Sequence, residues 1–218
     1  MRELFLFVAY REWAINTHTN LWLKMPLVTT SKELNDFIKN SISVKYIIFV
    51  GWSEIIPDDI INNFQCFCIH PSKLPSYRGG SPIQNQICRG ETNSAVTLFL
   101  MNSKIDAGPI FDSSFLSLNG TLEQIFDRIS TISATLINRL LDSINKEEPL
   151  SFRIQDESMA SYYKRRTPEQ SEISIKDISS LTALELHNKI RCLEDPYPNA
   201  FILCSDGKKL FIKKSSLV

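Results

Sequence analysis

The chain has 218 residues, of which 43% are hydrophobic, 22% charged and 10% aromatic; this composition fits one large globular domain, or a domain with a small appendage, and excludes a disordered or fibrous chain. Twenty-four Lys and Arg balance twenty-four Asp and Glu, so no global positive field gathers nucleic acid or anionic lipid. No apolar run approaches the roughly 20 residues of a bilayer span, and the short run after Met1-Arg2-Glu3 has no small-residue cleavage site, so it reads as a strand and not as a signal peptide.

Residues 4–10 (Leu-Phe-Leu-Phe-Val-Ala-Tyr) form a continuous apolar run of strand length, as expected for a strand buried on both faces of a mostly parallel sheet. Residues 31–38 read as a helix capped by Ser31, and Tyr46-Ile47-Ile48-Phe49-Val50 before Gly51 repeats the buried-strand signature. Residues 66–69 and 95–100 supply further strands, separated by a helix over 82–89 that Pro82 can begin. From 121 to 144, Ile125, Ile129, Ile132, Leu136 and Leu140 recur at three to four residues and predict one long amphipathic helix. The alternation predicts an α/β fold: an open, mostly parallel twisted sheet with helices on both faces.

A boundary near residue 150 is expected, dividing a first domain (1–150) from a small α+β extension (151–218) that contacts substrate or mediates dimerisation. The connector from 146 to 167 is polar and ends in Tyr162-Tyr163-Lys164-Arg165-Arg166, either a solvated linker or a pyrophosphate-binding segment. A helix over 182–193, then Pro196-Tyr197-Pro198, then a hairpin of 200–204 and 210–213 turning at Asp206-Gly207 complete the tail. Phe201, Ile202, Leu210 and Ile212 either form a dimer interface or pack onto their own sheet. The five cysteines, Cys66, Cys68, Cys88, Cys192 and Cys204, include no C-x-x-C pair, which excludes a zinc ribbon and reads as reduced thiols of a cytoplasmic protein with no metal.

Tyr10-Arg11-Glu12-Trp13 follows the first strand where a nicotinamide or flavin enzyme would carry G-x-G-x-x-G, and no G-x-x-x-x-G-K-[ST] phosphate loop occurs. The densest run of chemically suggestive residues is instead His70-Pro71-Ser72-Lys73-Leu74-Pro75-Ser76-Tyr77-Arg78-Gly79-Gly80-Ser81-Pro82-Ile83-Gln84-Asn85, directly after a buried strand. Ligands of open α/β sheets bind outside the carboxyl ends of strands; two prolines stiffen this loop, two glycines permit close backbone approach, and His70 offers an imidazole, a group suited to proton exchange. A structural turn is the alternative. The loop after the next strand, Asn102-Ser103-Lys104-Ile105-Asp106-Ala107-Gly108-Pro109-Ile110, places a carboxylate beside Gly and Pro.

The two segments together, H-P-S-x-L-P-x-Y-R-G-x-S-P-I-Q and I-D-A-G-P-I, resemble the folate-dependent formyltransferases, whose histidine and aspartate are separated like His70 and Asp106, 36 residues apart here. The resemblance covers residues 46–115 well and the rest more loosely. It implies formyl-tetrahydrofolate as co-substrate, His70 as general base or proton shuttle and Asp106 as the carboxylate that orients it. It also implies that the stretch with Trp52, Ser53, Ile55 and Ile56, together with Asp106, lines the pterin pocket. The family's triplet usually includes an Asn two residues before the histidine; Cys68 stands there, and a thiol donates only weakly to an oxyanion. Three readings stay open: a weaker oxyanion site, replacement by Asn85 or Gln84, or a binding protein without turnover.

Asn16-Thr17-His18 follows the wrong strand and reads as coincidence, His187 as an ordinary half-exposed helix residue, and Cys66 and Cys68 as small apolar groups on one face of a strand. For the acceptor, about 68 residues follow residue 150 with no basic excess, which disfavours a transfer RNA. Glycinamide ribonucleotide is disfavoured by the missing Gly-rich loop. Arg165-Arg166-Thr167-Pro168-Glu169-Gln170-Ser171-Glu172-Ile173 and Pro196-Tyr197-Pro198-Asn199-Ala200-Phe201 resemble the extension of sugar N-formyltransferases. That resemblance implies a dTDP- or UDP-linked amino sugar for surface polysaccharide, contacted by Tyr77, Arg78, Gly80, Ser81, Gln84, Tyr163 and Arg165, and a homodimer.

Overall fold

The structure is a computed structural model and describes residues 4–41, 43–195 and 197–217. The first three residues of the leader reading, and Pro196 of the tail motif, lie outside the described residues. In chain order the elements are β1 (Phe5–Val8), α1 (Glu12–Thr19), β2 (Leu27–Val28), α2 (Ser31–Asn40), β3 (Tyr46–Val50), α3 (Asp58–Asn63), β4 (Gln65–His70), β5 (Arg78–Gly79), α4 (Pro82–Cys88), β6 (Asn93–Leu100), β7 (Ile110–Ser117) and α5 (Leu122–Asn145). The extension adds β8 (Tyr162–Tyr163), α6 (Ile175–Ser180), α7 (Ala183–Arg191), β9 (Ala200–Leu203) and β10 (Lys209–Ile212).

The central sheet has the order β2-β1-β3-β4-β6-β7. The four strands on one side run parallel, and β6 and β7 are antiparallel to their neighbours. Strands that were continuous apolar runs are buried on both faces, because helices cover both. On one face Phe5, Phe7, Ile48, Val50, Phe67 and Ile69 pack with α5 and with Ile83 and Ile87 of α4. On the other, Leu6, Val8, Ile47, Phe49 and Cys66 pack with Leu34 of α2 and Ile60 of α3. Helix α5 carries the expected apolar stripe and opens with a Thr121–Gln124 capping box.

Some elements differ from the sequence expectation. Thr30, not Ser31, caps α2, accepting from the Glu33 amide, and Ser31 is the first helical residue. Helices α1, α3 and α6 and strands β2 and β7 were not anticipated, being short or weakly periodic. Among the described residues, Ile173, Ile190, Cys192, Leu193 and Ala200 of the extension join the cluster that holds Phe5 and Phe7. Phe201 is buried in its own chain, whereas Leu203, Leu210 and Phe211 remain exposed.

Candidate active site

β4 runs towards the carboxyl edge of the parallel strands and delivers His70 at its last position, two residues beyond Cys68, so both side chains share one face. The chain then enters a loop held from beneath by buried polar groups. Thr97 Oγ1 donates to the Ser72 carbonyl at 2.7 Å, Ser72 Oγ to the Ser76 carbonyl at 2.7 Å, and Gln86 Nε2 to the Pro71 carbonyl at 2.9 Å. Ser94 donates to the Gln86 amide oxygen. The loop's path is thereby fixed by side chains of β6 and α4.

His70 Nδ1 lies 3.4 Å from Asp106 Oδ2, with the two side chains only 7% and 17% exposed, so their interaction is weakly screened. Its Nε2 lies 2.8 Å from the Tyr77 carbonyl. A carbonyl only accepts, so Nε2 carries its hydrogen, and Nδ1 is the nitrogen that faces the carboxylate. The same Asp106 oxygen accepts the Gly79 amide hydrogen at 2.7 Å. Burial first, and then the charge of Asp106, push the Cys68 thiol well above the ordinary range, so it stays a neutral, weak donor beside the pair.

Backbone geometry at the site is demanding. Tyr77, Ser81 and Asp106 all have positive φ (61°, 49° and 52°) without being glycine. Gly108 passes so near the turn of its own loop that a β-carbon would sit 1.8 Å from the Leu100 carbonyl oxygen, and one on Gly80 would sit 2.4 Å from the Arg165 backbone. The connector runs against the loop here, pairing Arg78 with Tyr162 and Gly79 with Tyr163 as the parallel strands β5 and β8.

The predicted residues separate accordingly. Tyr77 and Tyr163 stack at 4.8 Å with Arg89 over the outer ring, and the Tyr77 hydroxyl, bonded to Glu91, is pushed up to about 12, chiefly by burial. Arg165 reaches the Ser53 carbonyl at 2.9 Å, joining the connector to the loop after β3, and Ser53 also bonds Tyr10. Ser81 Oγ accepts the Arg166 amide at 3.1 Å. Ile56 is buried in the core while Ile55 is 85% exposed, so the two side chains face different surroundings. Trp52 Nε1 is a buried donor without a hydrogen-bond partner, while the buried Gln84 amide faces the Tyr197 hydroxyl.

Two residues depart from expectation. Arg78 is wholly buried, and its five N–H groups are all engaged, by Gln155, Glu157 and the Tyr162 hydroxyl, so none is left for a substrate. Asn85 directs its amide hydrogens at the Gly80 carbonyl (2.8 Å) and the Lys164 carbonyl (3.4 Å), which holds loop and connector together.

The sequence reading missed Gln155, buried in the polar connector, whose amide donates to the Asp106 and Gly108 carbonyls. It also missed Arg11, which lies over the rings of Tyr10 and Tyr197 and donates to the Tyr197 hydroxyl. No spacing signal marks either residue. His18 instead bonds the Met25 carbonyl from α1, and His187 bonds Ser215, both away from this loop.

A family model described as Formyl transferase matches residues 26–139, slightly more than half of the chain and inclusive of His70 and Asp106. A methionyl-tRNA formyltransferase of Sulfurimonas denitrificans is 30% identical over 78% of this chain and 53% of its own length, so the chain spans about half the length of the curated relatives it matches. Among solved structures, a methionyl-tRNA formyltransferase from Clostridium thermocellum superposes with a TM-score of 0.79 at 30% identity, covering 95% of this chain and 96% of that one. A sugar N-formyltransferase from Shewanella sp FDAARGOS_354 superposes with a TM-score of 0.74 over 98% of both chains; at 17% identity this is likeness of fold alone. No helix among the described residues is long and apolar enough to cross a membrane.

Proposed function

The chain belongs to the formyl transferase family, and on that premise we propose that it moves a formyl group from formyl-tetrahydrofolate to a primary amine at the site built on His70 and Asp106. The observation that carries this reading is the 3.4 Å approach of His70 Nδ1 to Asp106 Oδ2, made by loops distant in sequence and locked by Gly79 and Tyr77. The donor-side loop fits a heteroaromatic, hydrogen-bonding ligand, since Trp52 Nε1 is an orphaned donor there beside Ser53.

An amine attacks as its neutral form, so its proton must leave, and the folate nitrogen needs a proton to depart. The His70–Asp106 pair takes the first and returns the second, with the carboxylate stabilising the imidazolium between the two steps. The oxyanion needs a donor. Cys68 is a weak one and both amide hydrogens of Asn85 are engaged, so of the expected replacements Gln84, whose amide meets only the Tyr197 hydroxyl, is the one with a hydrogen to spare.

The acceptor we favour is a nucleotide-linked amino sugar, dTDP or UDP, bound by a homodimer in the cytoplasm. What supports it is the zero net charge, together with a local strip of Tyr77, Tyr163, Arg89, Arg165 and Arg166 suited to one base and one pyrophosphate. Methionyl-tRNA is the second reading, favoured by the 30% identity to enzymes of that name. Purified protein with formyl-tetrahydrofolate and either a panel of amino-sugar nucleotides or methionyl-tRNA distinguishes them. Release of tetrahydrofolate with one class assigns it, and no release with either overturns the enzymatic reading in favour of a binding relative.

A further inference from the structure

The carboxyl-terminal extension meets α4 through a pair of sulfur atoms. Cys88 ends α4 and Cys192 follows α7; they are 104 residues apart in sequence, yet their Sγ atoms lie 3.4 Å from each other. Cys88 is partly accessible and Cys192 buried. Cations from three segments face them: Arg89 just past α4, Arg166 in the connector, and Lys189 and Arg191 on α7. Cys192 Sγ can donate to Cys88 or, at 3.5 Å, to the Lys189 carbonyl.

The hydrogen bond from Cys192, and then Arg166, Lys189 and Arg89, draw the Cys88 thiol below its ordinary range against burial, while Cys192 is pushed up. Both residues sit at helix carboxyl ends, where the helix dipole disfavours a thiolate, so the lowering at Cys88 is the work of these side chains. One sulfur is thus prepared as a nucleophile while its neighbour keeps its proton, the asymmetry that thiol–disulfide exchange uses.

We propose that Cys88 and Cys192 form a redox-active dithiol that closes to a disulfide when exposed to a low-molecular-weight disulfide such as oxidised glutathione. The Cys88 thiolate attacks one sulfur of the oxidant, making a mixed disulfide and releasing the other sulfur as a thiolate, which takes the proton Cys88 had lost. Cys192 then gives up its proton and attacks the Cys88 sulfur, forming the Cys88–Cys192 bond and expelling the second small thiol. The protein loses two electrons and two protons, and the oxidant becomes two thiols. The sulfurs need to close by about 1.4 Å to reach bonding distance, within reach of side-chain rotation. The bond would tie the helix that carries Gln84 and Asn85 to the segment leading to Tyr197, clamping the extension onto the site.

The test uses the intact chain. It is incubated with oxidised glutathione, quenched with N-ethylmaleimide, digested without reduction and mapped by mass spectrometry. The expected product is a cross-linked peptide pair containing residues 88 and 192, lighter by two hydrogens, with two of the five thiols lost and recovered on adding dithiothreitol. Cys88→Ser and Cys192→Ser should each remove that product, and Cys204→Ser should keep it. Glutathione retained on Cys88 without exchange, or oxidation confined to Cys204, overturns the proposal, as does an unchanged pair under conditions that oxidise free dithiothreitol.

Discussion

Gln155 donates one amide hydrogen to the main-chain carbonyl of Asp106 at 2.9 Å. Its second hydrogen goes to the Gly108 carbonyl at 2.7 Å, and its oxygen accepts both Nε and Nη2 of Arg78. One buried amide therefore couples the loop that carries the carboxylate to the loop that follows the histidine, with no hydrogen-bonding capacity left over. Gln155→Leu should leave two carbonyls and a guanidinium edge unpartnered and lower stability by about 1–3 kcal/mol. Because small displacements of a reacting group are costly, kcat should also fall by about tenfold or more. Gln155→Glu, which cannot donate, should resemble Leu in kcat even where stability is partly recovered through Arg78; steady-state kinetics beside thermal unfolding read the two effects apart.

Asp106 Oδ2 serves both the Gly79 amide and His70 Nδ1. Asp106→Asn can keep an oxygen at that place but removes the charge that stabilises an imidazolium. Unfolding midpoints should change little, while kcat drops by about 10²–10⁴, the range attributed to general acid–base catalysis. His70→Ala should fall in the same range, and the double variant should be no worse than either single one if the two act as a unit. Additive losses in the double variant would show independent roles.

Arg78 is buried with a bidentate Glu157 and the Gln155 amide. Arg78→Met should destabilise by about 1–3 kcal/mol, because the buried Gln155 amide oxygen loses both its donors, whereas Glu157, 60% exposed, is solvated by water. The measurement is the denaturant midpoint. An unchanged midpoint with weakened substrate binding would restore the expectation that Arg78 contacts substrate.

The glycines separate by what surrounds them. Gly90 has φ 81° but open space, so Gly90→Ala should cost only the left-handed backbone penalty, about 1–2 kcal/mol. Gly108→Ala places a β-carbon against the Leu100 carbonyl oxygen and must displace the Asp106 loop. Its unfolding midpoint and its kcat should both fall well below those of Gly90→Ala.

The Cys88 thiol, lowered by Cys192 and the surrounding cations, should be alkylated at lower pH than an ordinary thiol of pKa about 8.5. Since the thiolate is the reactive form, the iodoacetamide rate should rise with pH and reach its half-maximum below that value. Cys192→Ala, which removes the first cause by deleting the donor, should move the half-maximum upward.

Much of this molecule is written in local pattern. Buried strands are apolar runs, α5 is an apolar period behind a capping threonine, and the His70 and Asp106 loops are marked by Pro and Gly at strand ends, because each depends on neighbours a few residues away. The roles of Arg78, Gln155 and Asn85 were not legible in that way. An arginine in a glycine-rich loop reads as a substrate ligand until the connector returns 77 residues later to bury it. Nor does any spacing rule pair Cys88 with Cys192, since their contact exists only after α7 has docked on α4. Sequence alone determined the apolar buried strands, the long helix and the two loops that carry His70 and Asp106. Only the tertiary structure decided which polar groups are consumed in holding them there, because hydrogen-bond partners are chosen by where the chain comes back and not by what lies beside a residue in sequence.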